Sequence, residues 1–103
     1  MLQQLAKSLT GELFFDDLHK SIYATDASVY RKIPLAVAFP KNTEDLQLLI
    51  TYATQQKISL IPRTAGTSLA GQCVGEGIVV DVSKYFTKIL AFDEAAKTIT
   101  VQP

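Results

Sequence analysis

The chain has 103 residues, enough for one domain and too few for two, and its ten Lys and Arg balance ten Asp and Glu. A hydrophobic fraction of 48% with 19% charged residues argues against a disordered chain, and zero net charge argues against a nucleic-acid partner. No basic n-region precedes an apolar h-region near Met1, so we expect no secretory signal, and no apolar run approaches the roughly 20 residues of a membrane span. The one Cys cannot form an internal disulfide, and one Cys with one His cannot build a structural zinc site. We expect a soluble, cytoplasmic globular domain without a metal.

The first thirty residues predict two short helices. The first helix carries its apolar residues on one face, at Leu2, Leu5, Ala6 and Leu9. Gly11 stands where the C-terminal cap of this helix is expected. A second helix is predicted over Leu13–Tyr23, because its apolar residues are spaced at i, i+4 and i+8: Phe14, Leu18 and Ile22. The short polar residues of Thr25–Ser28 then predict a turn.

The central segment predicts a strand, a helix and a second strand. Leu35–Phe39 is a continuous apolar run, typical of a strand buried on both faces. Thr43 is the predicted N-cap of an amphipathic helix that ends near Gln56 and Lys57. Ile58–Ile61 is the next apolar run, and we expect it to stop at Pro62. This order predicts a βαβ unit and therefore an α/β fold, with flanking helices and further strands.

The last quarter predicts three more strands. Ile78–Val82 is mostly apolar, and Ile89–Phe92 and Thr98–Val101 flank a polar turn, which indicates a hairpin. The alternation in Thr98–Val101 predicts a half-buried strand. Because the chain stops soon after it, at Pro103, we expect these residues to be the front piece of a longer protein.

The segment Pro62–Gln72 is the candidate functional loop. It combines glycines, small residues and hydroxyls after a predicted buried strand, so successive backbone N–H groups can approach an anion such as an oligophosphate. The alternative is an ordinary glycine-rich connection. A P-loop is excluded, because Gln72 and Cys73 stand where that motif requires Lys and Ser or Thr. The dinucleotide motif G-x-G-x-x-G also fails, because Gly75 and Gly77 are followed by Val80.

An ordered set of segments resembles a known family. Thr25–Tyr30, Pro34–Pro40, Thr43–Leu46, Pro62–Gln72 and Gly77–Ser83 follow the order and spacing of the FAD-binding domain of the vanillyl-alcohol oxidase/p-cresol methylhydroxylase superfamily. Within it, the chain is most similar to the D-lactate dehydrogenase and glycolate oxidase subunit group. The resemblance covers about residues 20 to 103 and implies the N-terminal half of a two-part FAD-binding domain. It divides the chain into a helical segment, 1–33, and the first part of that domain, 34–103.

The resemblance also implies which residues bind FAD. The diphosphate would be wrapped, mainly through backbone amides, by Arg63, Thr64, Ala65, Gly66, Thr67 and Ser68. Pro62, Gly71 and Gln72 would lie beside the same cofactor, and Tyr30 is a further flavin neighbour. Some relatives attach FAD covalently through a histidine at the position of Thr67, so a hydroxyl there implies non-covalent FAD.

Two positions depart from the family pattern. Thr64 replaces a glycine, which requires that its φ is not positive. Thr87 replaces an asparagine, which puts that contact in doubt. Arg63 has two open interpretations, since it can stabilise phosphate by charge or hold the loop to a carboxylate. For His19 we favour a solvated surface side chain, and for Cys73 a packed or idle thiol.

The resemblance implies an FAD-linked dehydrogenase that oxidises a small 2-hydroxy acid, such as D-lactate or glycolate, by hydride transfer to flavin. Its base and carboxylate clamp would lie in the remainder of the polypeptide, which is the expected partner, so no catalytic residue is assigned here. Two alternatives remain open. One is a non-catalytic module that binds a nucleotide or a partner, and the other is a flavin reductase of a sugar nucleotide.

Overall fold

A computed structural model describes all residues from Met1 to Pro103. Its elements in chain order are α1 (Leu2–Ser8), β1 (Glu12–Phe14), α2 (Asp17–Ile22), β2 (Ala36–Phe39), α3 (Thr43–Gln56), β3 (Leu60–Arg63), β4 (Ile78–Asp81), β5 (Ile89–Asp93) and β6 (Thr98–Val101). The mixture of helices and a largely parallel sheet confirms the predicted α/β class. None of the three helices has the length and hydropathy that a bilayer span requires.

Four strands form the main sheet, in the order β1-β2-β4-β3. Strand β4 lies in the centre and pairs in parallel with β2 on one side and β3 on the other. The predicted βαβ unit is therefore present, but its two strands are not neighbours, because β4 is inserted between them. Every residue of β2 and β4 is buried, which explains their continuous apolar sequences.

The N-terminal region differs from its prediction. Glu12–Phe14 is a strand that pairs antiparallel with β2, placing Leu13 opposite Ala38, and the helix begins only at Asp17. The prediction of a helix from Leu13 was wrong, since pairing with the sheet outweighs the i, i+4 spacing of these apolar residues. Gly11 is also not a helix cap. It leads into β1, and a Cβ there would stand 2.0 Å from the carbonyl oxygen of Phe39.

Helix α3 covers the sheet and has well-defined ends. Its N-cap is Asn42 rather than the predicted Thr43, because the Asn42 side chain accepts a hydrogen bond from the Asp45 amide at 2.9 Å. The helix ends at Lys57, which takes the left-handed conformation with φ 55°. The core between this helix, α1 and the sheet includes Leu49 and Ile78, both fully buried.

Strand β3 extends further than expected. Pro62 does not stop it but lies within it, opposite Val80. Proline is tolerated here because β3 is an edge strand, so the missing N–H removes no interior ladder bond. This shift places Arg63 inside the strand and starts the candidate loop at Thr64.

The predicted hairpin is confirmed, but its environment is not as expected. Strands β5 and β6 pair antiparallel and form a separate two-stranded sheet. All of their residues are exposed, so the prediction that Thr98–Val101 is half-buried was wrong. Large apolar side chains project from the hairpin, among them Ile89, Phe92 and Ile99 at 67%, 72% and 56% exposure.

Candidate FAD diphosphate site

The loop that follows β3 runs along the surface to β4 without regular structure. Within Thr64–Leu69, no backbone N–H donates a hydrogen bond to any acceptor in the chain. All of these residues except Gly66 and Ser68 are exposed. Consecutive amides without an acceptor in the chain form a cluster of donors suited to an anion.

The backbone of this loop depends on two glycines. Gly66 has φ +70° and Gly71 has φ +76°, in the left-handed region that L side chains rarely adopt. Thr64 is not among the residues with positive φ, so the threonine that replaces the family's glycine fits without strain. The sequence required that φ of Thr64 is not positive, and this is confirmed.

Hydrogen bonds organise the second half of the loop around Ser68. Its hydroxyl accepts from the amides of Ala70 at 3.2 Å and Gln72 at 3.3 Å, and it donates to the Gln72 side-chain oxygen at 3.1 Å. The hydroxyl therefore stabilises a turn within the loop. The N–H groups from Thr64 to Leu69 remain available.

A second segment, residues 25–28, forms hydrogen bonds with the loop. The amide of Ala27 donates to the carbonyl of Gly66 at 3.0 Å, and the amide of Cys73 donates to the Asp26 carboxylate at 3.4 Å. Hydrogen bonds from Ser28 are the main cause that lowers the pKa of Asp26, so this carboxylate is held in its charged form. The sequence predicted a turn over Thr25–Ser28 and a family resemblance over Thr25–Tyr30, but not these hydrogen bonds to the loop.

Arg63 points into this assembly. Its guanidinium donates to the carbonyl of Thr25 at 2.6 Å and to that of Cys73 at 3.5 Å. It also lies over the ring of Tyr23, with its Cζ 4.9 Å from the ring centroid. Tyr23 in turn donates a hydrogen bond to the buried carboxylate of Asp81, at the end of β4.

Tyr23 and Asp81 were not predicted as parts of the site. Tyr23 was taken as the last residue of a helix, and Asp81 as one position of a strand. A carboxylate at the end of the apolar run Ile78–Asp81 is the one signal in the sequence that could have indicated a buried polar network.

The other predicted site residues divide into two groups. The ring of Tyr30 lies against Gly71, where a Cβ would stand 2.7 Å from Tyr30 Cδ2, and both residues line a shallow cavity of about 250 Å³ with Lys32. Pro62 is different: its side chain lines an apolar groove together with Leu49 of α3, so it lies apart from the amide cluster.

The remaining candidate side chains have structural surroundings. His19 is half-buried rather than solvated, since its ring stacks on Phe14 at 3.9 Å and bonds Asp16 at 2.7 Å. Cys73 is a free, half-buried thiol. No group of three or more His, Cys, Asp and Glu side chains is arranged to hold a metal ion.

Comparison with known proteins identifies this arrangement. The sequence model of the FAD binding domain family matches residues 34–103. The chain belongs to the FAD binding domain family. This confirms the resemblance drawn from the sequence and the FAD cofactor that it implied. The amide cluster fits that cofactor, because FAD carries a diphosphate and the loop offers unpartnered donors around a glycine.

Curated relatives agree with this assignment. The chain is 35% identical over 99 residues to glycolate oxidase subunit GlcD of Bacillus subtilis, covering 92% of this chain and 21% of that protein. It is 31% identical over 105 residues to D-2-hydroxyglutarate dehydrogenase of Escherichia coli, covering 98% of the chain and 10% of the relative. A mitochondrial D-lactate dehydrogenase [cytochrome] of Kluyveromyces lactis is 36% identical over 73 residues, which cover 67% of the chain and 13% of the relative.

Solved structures share the fold. The Physcomitrella patens BBE-like 1 protein superposes with a TM-score of 0.77 at 25% identity, covering 98% of this chain and 22% of that one. An alkyldihydroxyacetonephosphate synthase superposes with a TM-score of 0.66 at 18% identity, covering 81% of this chain and 18% of that one, which shows the fold alone. The chain thus spans between about a tenth and a fifth of the length of these relatives.

Proposed function

We propose that the run of backbone amides from Thr64 to Leu69 binds the FAD diphosphate. The observation that carries this proposal is that none of these N–H groups has an acceptor in the chain, although most are exposed. Gly66 lies in the middle of the run, and its φ of +70° sets the course of the backbone there. In this proposal Gly71, Gln72 and Tyr30 contact a neighbouring part of the same cofactor, which the packing of Tyr30 against Gly71 supports, and Pro62 contributes through the backbone of β3.

We further propose that residues 34–103 are the first part of a two-part FAD-binding domain, preceded by a segment at 1–33, and that the second part lies in the remainder of a longer polypeptide. Two observations support this. The chain spans only 21% of the Bacillus subtilis relative and 10% of the Escherichia coli relative. In addition, the hairpin β5–β6 exposes Ile89, Phe92 and Ile99, apolar side chains of the kind that normally pack against another surface.

The activity we propose for the full-length protein is oxidation of a small 2-hydroxy acid. FAD, when bound, accepts a hydride from the α-carbon of such a substrate. Three relatives are named for glycolate, D-lactate and D-2-hydroxyglutarate, which share this chemistry. The residues described here bind and orient the cofactor, and the proton acceptor and the carboxylate-binding groups are expected in the remainder of the polypeptide.

A direct test uses the full-length protein purified with FAD. We expect a yellow protein that reduces an artificial electron acceptor with glycolate, D-lactate or D-2-hydroxyglutarate, and no turnover from residues 1–103 alone. A full-length protein that is yellow but inactive with all three acids would contradict the substrate class. A colourless protein that does not bind added FAD would contradict the cofactor site as well.

A further inference from the structure

The guanidinium of Arg63 lies next to Gly66 of the amide cluster, and part of it is engaged by the protein. One of its nitrogens, Nη1, donates to the carbonyl oxygens of Thr25 and Cys73. Its Cζ lies over the ring of Tyr23, 4.9 Å from the ring centroid. These contacts link Arg63 of β3 to two separate parts of the chain: residues 23–25 at the end of α2 and Cys73 at the far end of the loop.

Gly66 rests directly on this guanidinium. A Cβ built on Gly66 would stand 2.5 Å from Arg63 Nη2 and 2.9 Å from Cζ, closer than real Cβ atoms come to other heavy atoms. The arginine therefore fills the space beneath the central glycine of the amide run, and Tyr23 contacts the guanidinium as well. A loop without regular structure needs such a support, because its amides make no hydrogen bonds of their own.

We propose that Arg63 is a positioning residue: it supports Gly66 from beneath and fixes the direction of the free amides, without itself contacting the FAD diphosphate. This inference rests on the proposed function of the loop. This role differs from both interpretations left open by the sequence, because the contacts of Arg63 within the chain are with backbone carbonyls and an aromatic ring.

In this role the planar shape of the Arg63 guanidinium is essential as well as its charge. A guanidinium is planar and donates in fixed directions while stacking on an aromatic ring, whereas a lysine ammonium is a compact point charge. A lysine at position 63 therefore keeps the charge but loses the flat surface beneath Gly66. A residue that bound phosphate directly by charge would tolerate this exchange.

The experiment measures the dissociation constant of FAD on the full-length apoprotein, by flavin fluorescence at low and high salt, for Arg63→Lys and Arg63→Met. We expect both variants to lose affinity by a similar factor, about tenfold or more. The dependence of affinity on salt should stay as in the wild type. Lys7→Met is the control, because Lys7 is an exposed cation on α1 without an ion pair.

Three outcomes would overturn the proposal. Near-normal affinity in Arg63→Lys, with a reduced salt dependence in Arg63→Met, would show direct binding of phosphate by charge. Unchanged affinity of the folded fraction in both variants, with lower resistance to urea, would show a role in the fold alone. If the Arg63 variants do not fold, Tyr23→Leu removes the aromatic contact and keeps the arginine; we expect about fivefold weaker binding, and unchanged binding would overturn the proposal.

A further variant separates this inference from the proposed function. Gly66→Val should greatly weaken FAD binding if the loop holds the diphosphate, because valine resists φ +70° and its Cβ would displace the guanidinium. If Gly66→Val binds FAD normally while folded, the diphosphate site is elsewhere. If Gly66→Val fails to bind but Arg63→Lys binds normally, only the role of Arg63 is refuted.

Discussion

The phenolic hydroxyl of Tyr23 donates a hydrogen bond to the Asp81 carboxylate at 2.5 Å, joining residues that lie 58 positions apart. Tyr23 also contacts Phe39 of β2 edge to face, at 5.8 Å between ring centroids. Burial, and then the bond to Asp81, raises the pKa of Tyr23, so the phenol stays protonated and remains the donor. The hydrogen bond to Asp81 therefore holds the Tyr23 ring in the position where Arg63 lies over it.

Tyr23→Phe should lower the free energy of unfolding by about 1.5–3 kcal/mol, because it removes a hydrogen bond to a buried carboxylate. Urea unfolding followed by circular dichroism measures the loss. Tyr52→Phe is a matched control, since the hydroxyl of this half-buried tyrosine makes no hydrogen bond. Equal losses in the two variants would contradict a specific contribution from the Tyr23–Asp81 bond.

Asp45→Asn should be strongly destabilising. The Asp45 carboxylate is 1% exposed and accepts hydrogen bonds from the amides of Thr10 and Gly11, both at 2.8 Å, and Lys41 at 2.9 Å. An amide side chain has only one oxygen acceptor, so at least one buried N–H loses its partner, at a cost of about 1–3 kcal/mol. Urea titration at pH 7 measures this cost, and a loss below about 0.5 kcal/mol would contradict the assigned role.

The same residue gives a pH dependence of stability. Burial alone would raise the pKa of Asp45, but hydrogen bonds from the Lys41, Thr10 and Gly11 amides outweigh it and lower the pKa below its ordinary value. Its stabilising contribution is therefore complete above the unfolded-state pKa of about 3.9 and is lost as the pH falls through the lower, folded-state pKa. The stability difference between wild type and Asp45→Asn should shrink below about pH 4. A difference that grows on acidification would contradict this assignment.

Ser68→Ala should weaken FAD binding without unfolding the protein. The hydroxyl accepts from the amides of Ala70 and Gln72, so its removal loosens the turn that follows the free amides. Loss of a direct bond from this hydroxyl to the charged diphosphate predicts about 10- to 150-fold lower affinity. Cys73→Ser, in the same loop, should leave the dissociation constant nearly unchanged. Flavin fluorescence measures both, and equal affinities would contradict a role for Ser68.

The flavin should be released when the full-length protein is denatured by acid or heat. Thr67 occupies the position where some relatives carry the histidine that bonds FAD, and a hydroxyl does not form that bond. The single histidine, His19, stacks on Phe14 and bonds Asp16, outside the loop. Yellow colour should appear in the supernatant after precipitation. Colour retained by the precipitate after washing would indicate a covalent link.

The central part of the fold followed from the sequence because local and tertiary preferences agree there. The apolar run that becomes β2 is buried on both faces, and the amphipathic spacing that predicted α3 places Leu49 in the core. Leu13 is the opposite case. Its helical spacing is genuine, but pairing of Leu13 with Ala38 across β1 and β2 is a contact between residues 25 positions apart, which local periodicity cannot indicate.

The candidate loop was predicted more completely than its support. Glycines, hydroxyls and the family resemblance indicated Gly66 and Ser68 directly. The contacts of Arg63 with Thr25 and Tyr23 depend on two segments that meet only in three dimensions. The prediction that Pro62 stops strand β3 was wrong for a related reason. Proline is tolerated within β3 because β3 is an edge strand, and this depends on the order of the strands in the sheet.

Amide hydrogen exchange on the full-length protein, with and without FAD, tests most directly whether Thr64–Leu69 binds the diphosphate. These N–H groups have no acceptor in the chain, so they should exchange rapidly in the apoprotein and become protected when FAD is added. ADP, which also carries a diphosphate, should give part of this protection, and riboflavin, which carries none, should give little. Unchanged exchange in this segment while FAD protects other segments would contradict the account.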